Sequence, residues 1–378
     1  MPTYARHTRL LILQSTTFCN LDCKYCYLPN RDSRKVMVPA TAAAAVRNLR
    51  ESGLLGDRLA VVWHAGEPLT VPLGFYQQAI PSVAEFATEQ LTIRQSIQTN
   101  GTLLTPAHCE LFRQHDVSIG LSLDGPAFLH DAQRVTRSGK TTHAAVMRGL
   151  GLLQEYGIEF NVIAVLTDAS LDYPDEMYAF FRDAGVRRIG FNIDEAEGIN
   201  RTSSFRHPDG IDRYRRFMRR MFDLCRQDDR LSVREFDEFA GLLQFDGDIG
   251  VNTQAQPLAI INVAADGDFS TFSPELLETP HVSNGGFRLG NVHTDRIGGV
   301  RRDLRALALF RDVEDGVEAC RRECPYFAMC GGGAPSNKLT ENGRLDSTET
   351  TYCRYTVQTL ADLLMEAHEE HLATAGAS

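Results

Sequence analysis

Three cysteines, Cys19, Cys23 and Cys26, stand in the run CNLDCKYCY just after the apolar segment Leu10 to Leu13. A cubane iron–sulfur cluster takes four thiolates, so a C-x3-C-x2-C loop leaves one iron without a protein ligand. An open iron can bind a substrate or a cofactor. Zinc sites usually pair such a loop with a second C-x2-C or with histidines, and no such partner lies nearby. A second group, Cys320-x3-Cys324-x5-Cys330, is closed by Cys353 in ETTYCR. Four thiolates suit a structural zinc or a fully ligated iron–sulfur cluster equally well from spacing alone, and a companion cluster in the same chain favours iron–sulfur. The remaining Cys109 and Cys225 fall in helical patterns and read as small packing residues.

The 378 residues are 43% hydrophobic and carry a net charge of −10. That is enough for one large core or two smaller ones. The acidic balance opposes general attraction to nucleic-acid phosphates, so no nucleic-acid partner is expected. Arg213, Arg215, Arg216, Arg219 and Arg220 read as one solvated helix face. No segment approaches the length of a membrane span, and the N-terminus lacks a signal peptide's charged start and long apolar stretch. A cytoplasmic protein without a membrane partner is expected, and there nine cysteines point to metal or redox chemistry rather than disulfides.

Short apolar runs alternate with longer helical patterns over the first two thirds, the signature of βα units around a parallel sheet. Strands are expected near Leu10 to Gln14, Leu59 to His64, Thr92 to Gln98, Val117 to Leu123, Phe160 to Leu166 and Arg188 to Ile193. Helices are expected near Pro39 to Ser52, Leu73 to Glu89, Pro106 to His115, His143 to Tyr156, Tyr173 to Ala184 and Ile211 to Asp228. Parallel βα barrels put their chemistry in the loops after the strands' carboxyl ends, and the first such loop carries the three cysteines. The second strand ends in WHAGEP, where Ala65 and Gly66 permit close approach to the backbone. The third ends in QTNGTLL and the fourth in SLDGP, so Gln98, Asn100, Ser122 and Asp124 arrive at corresponding strand ends. Beyond the basic helix the periodicity weakens and glycine-rich segments appear, which suggests a second domain beginning near Phe236 to Val251.

Together CNLDCKYC, AGEP, SLDGP with HDAQR, and CPYFAMCGGG resemble the radical S-adenosylmethionine (SAM) enzymes with a SPASM-type C-terminal domain, across nearly the whole chain. The run from CPYFAMCGGG to ETTYCR, with FSPELL and FNIDEAEG, is most similar to the cyclophane-forming peptide maturases of the GrrM type. The resemblance implies an α/β fold, a partial (β/α)6 TIM-like barrel over residues 1–235. A bridging region over 236–310 and a smaller SPASM-like iron–sulfur domain with a C-terminal helix over 311–378 follow. It implies that Cys19, Cys23 and Cys26 hold a [4Fe-4S] cluster whose open iron is chelated by SAM. Tyr25 would lie near the adenine, and the loop of Ala65, Gly66 and Glu67 would meet the SAM amino group, although the family commonly has GGEP. Gln98, Asn100 and Asp124 would complete the cofactor pocket, and Ser122 with Arg134 would meet the SAM carboxylate, Arg137 being the reserve.

Full SPASM members hold two auxiliary clusters, but the expected ligand after CGGG is Ala334, and Phe272 and Ser273 stand where an upstream thiolate is usual. One auxiliary [4Fe-4S] cluster, on Cys320, Cys324, Cys330 and Cys353, is therefore expected. By the same resemblance the enzyme takes a β-hydrogen from a residue of a ribosomal precursor peptide and forms a carbon–carbon crosslink to an aromatic ring, with electrons from a donor such as flavodoxin or ferredoxin. Candidate proton acceptors or substrate contacts are Asp194, Glu195 and, near the catalytic aspartate of sulfatase-maturing relatives, Glu275, whose plainer reading is a surface carboxylate. Glu197 shares the strand-end loop of Asp194 and Glu195. Alternatives are another radical SAM modification (sulfatase-type oxidation, thioether formation or epimerisation) and a non-catalytic metal-binding redox module. The first strand begins too near the start to leave room for an added leader-binding domain, so the precursor is expected to bind the barrel, the C-terminal domain or a separate protein.

Overall fold

Six apolar runs bounded by turn residues form six parallel strands paired in chain order: β1 (Leu10–Leu13), β2 (Arg58–Trp63), β3 (Thr92–Thr99), β4 (Ser118–Ser122), β5 (Phe160–Leu166) and β6 (Arg188–Ile193). The computed structural model describes residues 3–244, 250–279 and 286–375. Side chains alternate along each strand. Leu11, Leu13, Val61, Trp63, Ile97, Ile119, Leu121, Val162, Ala164 and Ile189 are buried in the hydrophobic core. Their neighbours Ile12, Val62, Gln98, Ser122, Ile163 and Asn192 line a cavity on the concave side.

The helices that cover the convex face are α1 (Pro39–Glu51), α2 (Leu73–Ala84), α3 (Pro106–Gln114), α4 (Ala127–Gln133), α5 (His143–Glu155) and α6 (Pro174–Asp183). Proline opens α1, α3 and α6, where its missing N–H costs nothing. In α3 the Thr105 side chain also accepts from the His108 N–H. Expected and observed boundaries agree closely, with two differences. α2 stops before Glu89 because Thr88 and Leu91 pair in a tight turn leading into β3. The short α4, directly after SLDGP, lacks enough turns to show a period in the sequence.

After α7 (Gly210–Gln227) come β7 (Ser232–Val233), which extends the sheet beyond β6, and α8 (Arg234–Gln244). At the other edge β8 (Ile260–Val263) lies parallel to β1, in register from Leu10 opposite Ile260 to Leu13 opposite Val263. β9 (Asp268–Thr271) and β10 (Gly290–Asn291) continue antiparallel from it, giving the order β10-β9-β8-β1-β2-β3-β4-β5-β6-β7. The bridging region is thus part of the barrel's own sheet. The fold class is α/β, an open parallel barrel followed by a small helical cysteine-bearing region of α9 (Leu304–Glu323), α10 (Phe327–Cys330) and α11 (Pro335–Asn342).

The basic face of α7 is largely solvated, as expected, and its arginines are ion-paired there. Arg213 pairs with Asp168 and Asp172, Arg220 with Asp175, and Arg215 and Arg219 with Glu366 and Glu370 of the final helix, Leu360–Ala375. Cys109 is buried in α3, and Cys225 is packed against the core from α7. Among the described residues no helix is long and apolar enough to cross a membrane. Because β8 is a core strand, Ile261→Ala should cost about 2–5 kcal/mol, as large-to-small changes at fully buried sites do. Urea titration should still show one loss of barrel structure; independent melting of residues 260–291 would contradict this.

Candidate active site

The cysteine loop between β1 and α1 is fixed by backbone contacts on both sides. Asp22 N–H donates to Val135 O (2.8 Å) and Lys24 N–H to Gln133 O (3.1 Å), while Glu67 N–H donates to Phe18 O (2.8 Å). Gly66, at φ +56°, lies so close to this loop that a Cβ there would come within 2.4 Å of Phe18 O, so only glycine fits. Ala65 also takes a left-handed conformation, at φ +78°. From β3, Asn100 Nδ2 donates to Asn20 Oδ1 (2.9 Å), tying the segment between the first two cysteines to the next strand end.

Cys19, Cys23 and Cys26 line one cavity of about 650 Å³ with Tyr25, Ala65, Gly66, Glu67, Gln98, Asn100, Ser122 and Arg134. Burial, with help from Glu67, pushes the Cys19 thiol up to about 12. Burial likewise pushes Cys23 up to about 11 against the opposing pull of Arg134. Thiolates in such surroundings need positive charge beside them, which bound iron supplies. No three His, Cys, Asp or Glu side chains among the described residues are arranged to hold a single metal ion. The three thiols face the same cavity.

Several cofactor-pocket candidates are also tied into the surrounding fold. Glu67 is almost wholly buried and accepts from Leu69 N–H (2.9 Å), Thr99 Oγ1 (2.6 Å) and Asn100 N–H (2.7 Å). These bonds offset part of the upward push that burial gives its carboxyl. Asp124 does not line the cavity: it accepts from Tyr25 Oη (2.5 Å), Val165 N–H (3.0 Å) and both Nε (2.9 Å) and Nη2 (3.0 Å) of Arg134. Arg134, its guanidinium 5.4 Å from the centre of the Tyr25 ring, is thereby fixed at the cavity wall. Gln98 Nε2 donates to Ser122 Oγ (3.0 Å), joining two strand ends. Arg137 is outside the cavity, holding the cysteine loop through Cys19 O (2.7 Å).

A second cavity, about 920 Å³, is lined by Cys320, Cys324, Cys330 and Cys353. The three glycines after Cys330 all have positive φ, and Gly331 and Gly332 pack so tightly on Asn252 and Val317 that side chains would not fit. Lys338, 3% exposed, donates to Gly316 O (2.8 Å) and neighbours Cys320. Burial raises the thiols of Cys320, Cys330 and Cys353, the last to about 11. Ala334 caps α11, and Phe272 is buried edge-on against Phe310, an apolar environment where a thiolate ligand would otherwise stand.

The two cavities share a wall of Asn192, Glu195, Glu197, Arg234 and Glu275. Asp194, by contrast, accepts from Asn200 Nδ2 (3.0 Å) and Ser204 N–H (2.9 Å) and serves its own loop. Glu275 is no surface carboxylate: it faces both cavities, with Oε2 buried and unpartnered, as is Oε1 of Glu197. Burial, reinforced by repulsion from Glu275, raises the carboxyls of Glu195 and Glu197; burial also raises Glu275. Tyr27, Asn192, Arg234, Asn337 and Lys338 were not among the expected site residues. Only Tyr27, beside Cys26, and the pair after CGGGA carry a positional hint; Asn192 and Arg234 are recognisable only once strand alternation is known.

A family model described as the radical SAM superfamily matches residues 13–181. An uncharacterized protein of Synechocystis sp. is 42% identical over 97% of this chain and 94% of its own. The chain belongs to the radical SAM superfamily. It is an enzyme, which sets aside the reading as a non-catalytic metal module. A serine-type anaerobic sulfatase-maturating enzyme of Bacteroides thetaiotaomicron is 26% identical over 89% of this chain and 84% of its own. Among solved structures, native anSMEcpe with bound AdoMet shares the fold at TM-score 0.78 and 21% identity, over 98% of this chain and 99% of that one. Streptococcus suis SuiB bound to precursor peptide SuiA does so at TM-score 0.65 and 16% identity, over 93% and 76%.

As a radical SAM enzyme the chain uses a [4Fe-4S] cluster and SAM, and the three-cysteine cavity has the thiols and polar strand ends they need. Two measurements follow for the reconstituted enzyme. Asp124→Ala should destabilise by about 3–5 kcal/mol by leaving Arg134 buried and unpaired, read by denaturant titration. Cys353→Ala should lower bound iron while leaving the N-terminal cluster's electron paramagnetic resonance signal; unchanged iron with bound zinc would make the C-terminal site a zinc site.

Proposed function

We propose that this radical SAM enzyme is a peptide maturase that removes a β-hydrogen from a residue of a ribosomally made precursor and closes a carbon–carbon cyclophane crosslink to an aromatic side chain. The shared wall between the two cysteine-lined cavities carries the reading, because a substrate there would lie between the site of hydrogen removal and a site able to take up an electron. A cluster on Cys19, Cys23 and Cys26 with SAM at its open iron supplies a 5′-deoxyadenosyl radical, and one auxiliary cluster on Cys320, Cys324, Cys330 and Cys353 supplies the electron acceptor. Tyr25, Ala65, Gly66, Glu67, Gln98, Asn100, Ser122 and Arg134 hold SAM, with Asp124 orienting Tyr25 and Arg134.

Crosslinking removes one hydrogen atom, one electron and one proton from the peptide. In its ionised form Glu275 or Glu197 can take the proton on its unpartnered buried oxygen, and Glu195 is their neighbour. Asp194, with both oxygens occupied, is a positioning residue. A reductant such as flavodoxin or ferredoxin in the cytoplasm completes the turnover.

Similarity to sulfatase-maturating enzymes supports a second reading, oxidation of a serine or cysteine to an aldehyde. Reduced enzyme should form 5′-deoxyadenosine, and a matched precursor should lose two hydrogens. Serine oxidation gives the same loss, so hydrazide trapping decides: an unreactive product with fragment ions missing between the joined residues supports the crosslink, and a hydrazone supports oxidation. Absence of 5′-deoxyadenosine with every peptide would refute both.

A further inference from the structure

We infer that Glu195, Glu197 and Glu275 form a seat for a cationic side chain, an arginine or lysine of the substrate peptide, next to the residue that reacts. The inference rests on the peptide-maturase reading and adds the charge class of the substrate. Three carboxyl side chains converge on the wall common to both cavities. The charges acting most strongly on Glu195 and Glu197 are other carboxylates, including Glu275 and Glu341. Arg234, the cation of the shared wall, is already engaged by Glu235 and by Asn192 Oδ1 (3.1 Å), and Lys338, which lines only the second cavity, donates to Gly316 O (2.8 Å).

A separate observation marks the seat as built for a ligand. Ser336 approaches the Glu197 carboxyl and Ser273 and Tyr27 that of Glu275, but Oε1 of Glu197 and Oε2 of Glu275 stay buried without a hydrogen-bond partner, and Glu197 as a whole is only 8% exposed. Unpaired buried acceptors are costly, so an arrangement that keeps two on a cavity wall is completed by a donor from outside. A guanidinium or ammonium group supplies several N–H donors and the compensating charge at once. Tyr27 adds an aromatic ring and a hydroxyl beside the carboxyls, and its position after Cys26 puts the seat at the cluster end of the cavity.

The test uses the reconstituted, SAM-loaded enzyme and short synthetic peptides that share one aromatic residue and vary at a neighbour: arginine, lysine, citrulline, norleucine or glutamate. Binding is read by competition and turnover by 5′-deoxyadenosine release. Arginine and lysine peptides should bind at least about tenfold more tightly than citrulline and norleucine peptides, as expected for a desolvated charge pair. Glu197→Gln should shrink that gap to less than about threefold without changing SAM affinity, and Glu197→Lys should reverse the preference toward glutamate. Equal binding of arginine and citrulline peptides overturns the seat while leaving the maturase reading intact if turnover is stimulated. A tenfold loss of SAM affinity in Glu197→Gln also overturns it, since the carboxylates would then serve the SAM sulfonium. If no peptide binds or stimulates SAM cleavage, the maturase reading fails together with the seat.

Discussion

Side chains of a β-strand point alternately to its two faces, and in this barrel that alternation creates the active site and the core at once. Along β3 and β4, Ile97 and Leu121 go to the helices while Gln98 and Ser122 go to the cavity. Parallel pairing brings every strand's carboxyl end to one rim, so AGEP, the Asn100 turn and the cysteine loop become neighbours despite their distance in sequence. Their mutual fit is then steric: Gly66 lets the second loop lie directly on the first.

Electrostatics divides the acidic residues at this rim into two kinds. Asp124 and Glu67 are buried with every oxygen engaged, so their charge orders other side chains. Glu197 and Glu275 are buried with oxygens left over, and their environment favours the neutral form until a cation arrives. The same carboxylate chemistry therefore serves structure at one side of the cavity and reactivity or recognition at the other.

The four-cysteine region depends on the barrel in turn. Asn252 ties the tri-glycine turn to the barrel's flank, its N–H donating to Gly331 O (2.9 Å) and its Nδ2 to Cys330 O (3.0 Å). Asn337 of α11 donates to Glu195 beyond β6, joining the two cysteine regions through the carboxylate wall. A π-helical turn, Arg354–Thr359, follows Cys353 directly, a local irregularity common beside functional residues.

Much of this was legible in the chain itself. The cysteine spacings, the six strands and the helix starts follow from local chemistry: ligand identity, apolar period and proline or threonine at helix entries. Strands β8 to β10 were not, because two- to four-residue strands have too few residues to display a period, and β8, on which the other two build, is partnered by β1 from hundreds of residues away. Glu275 read as a surface carboxylate for the same reason. Residue type and spacing thus determined which groups can hold iron and where the turns fall, since those depend on neighbours along the chain. Which carboxylates are satisfied and which face the cavity unpartnered was decided only by tertiary structure, because burial and hydrogen bonding depend on groups that folding alone brings together.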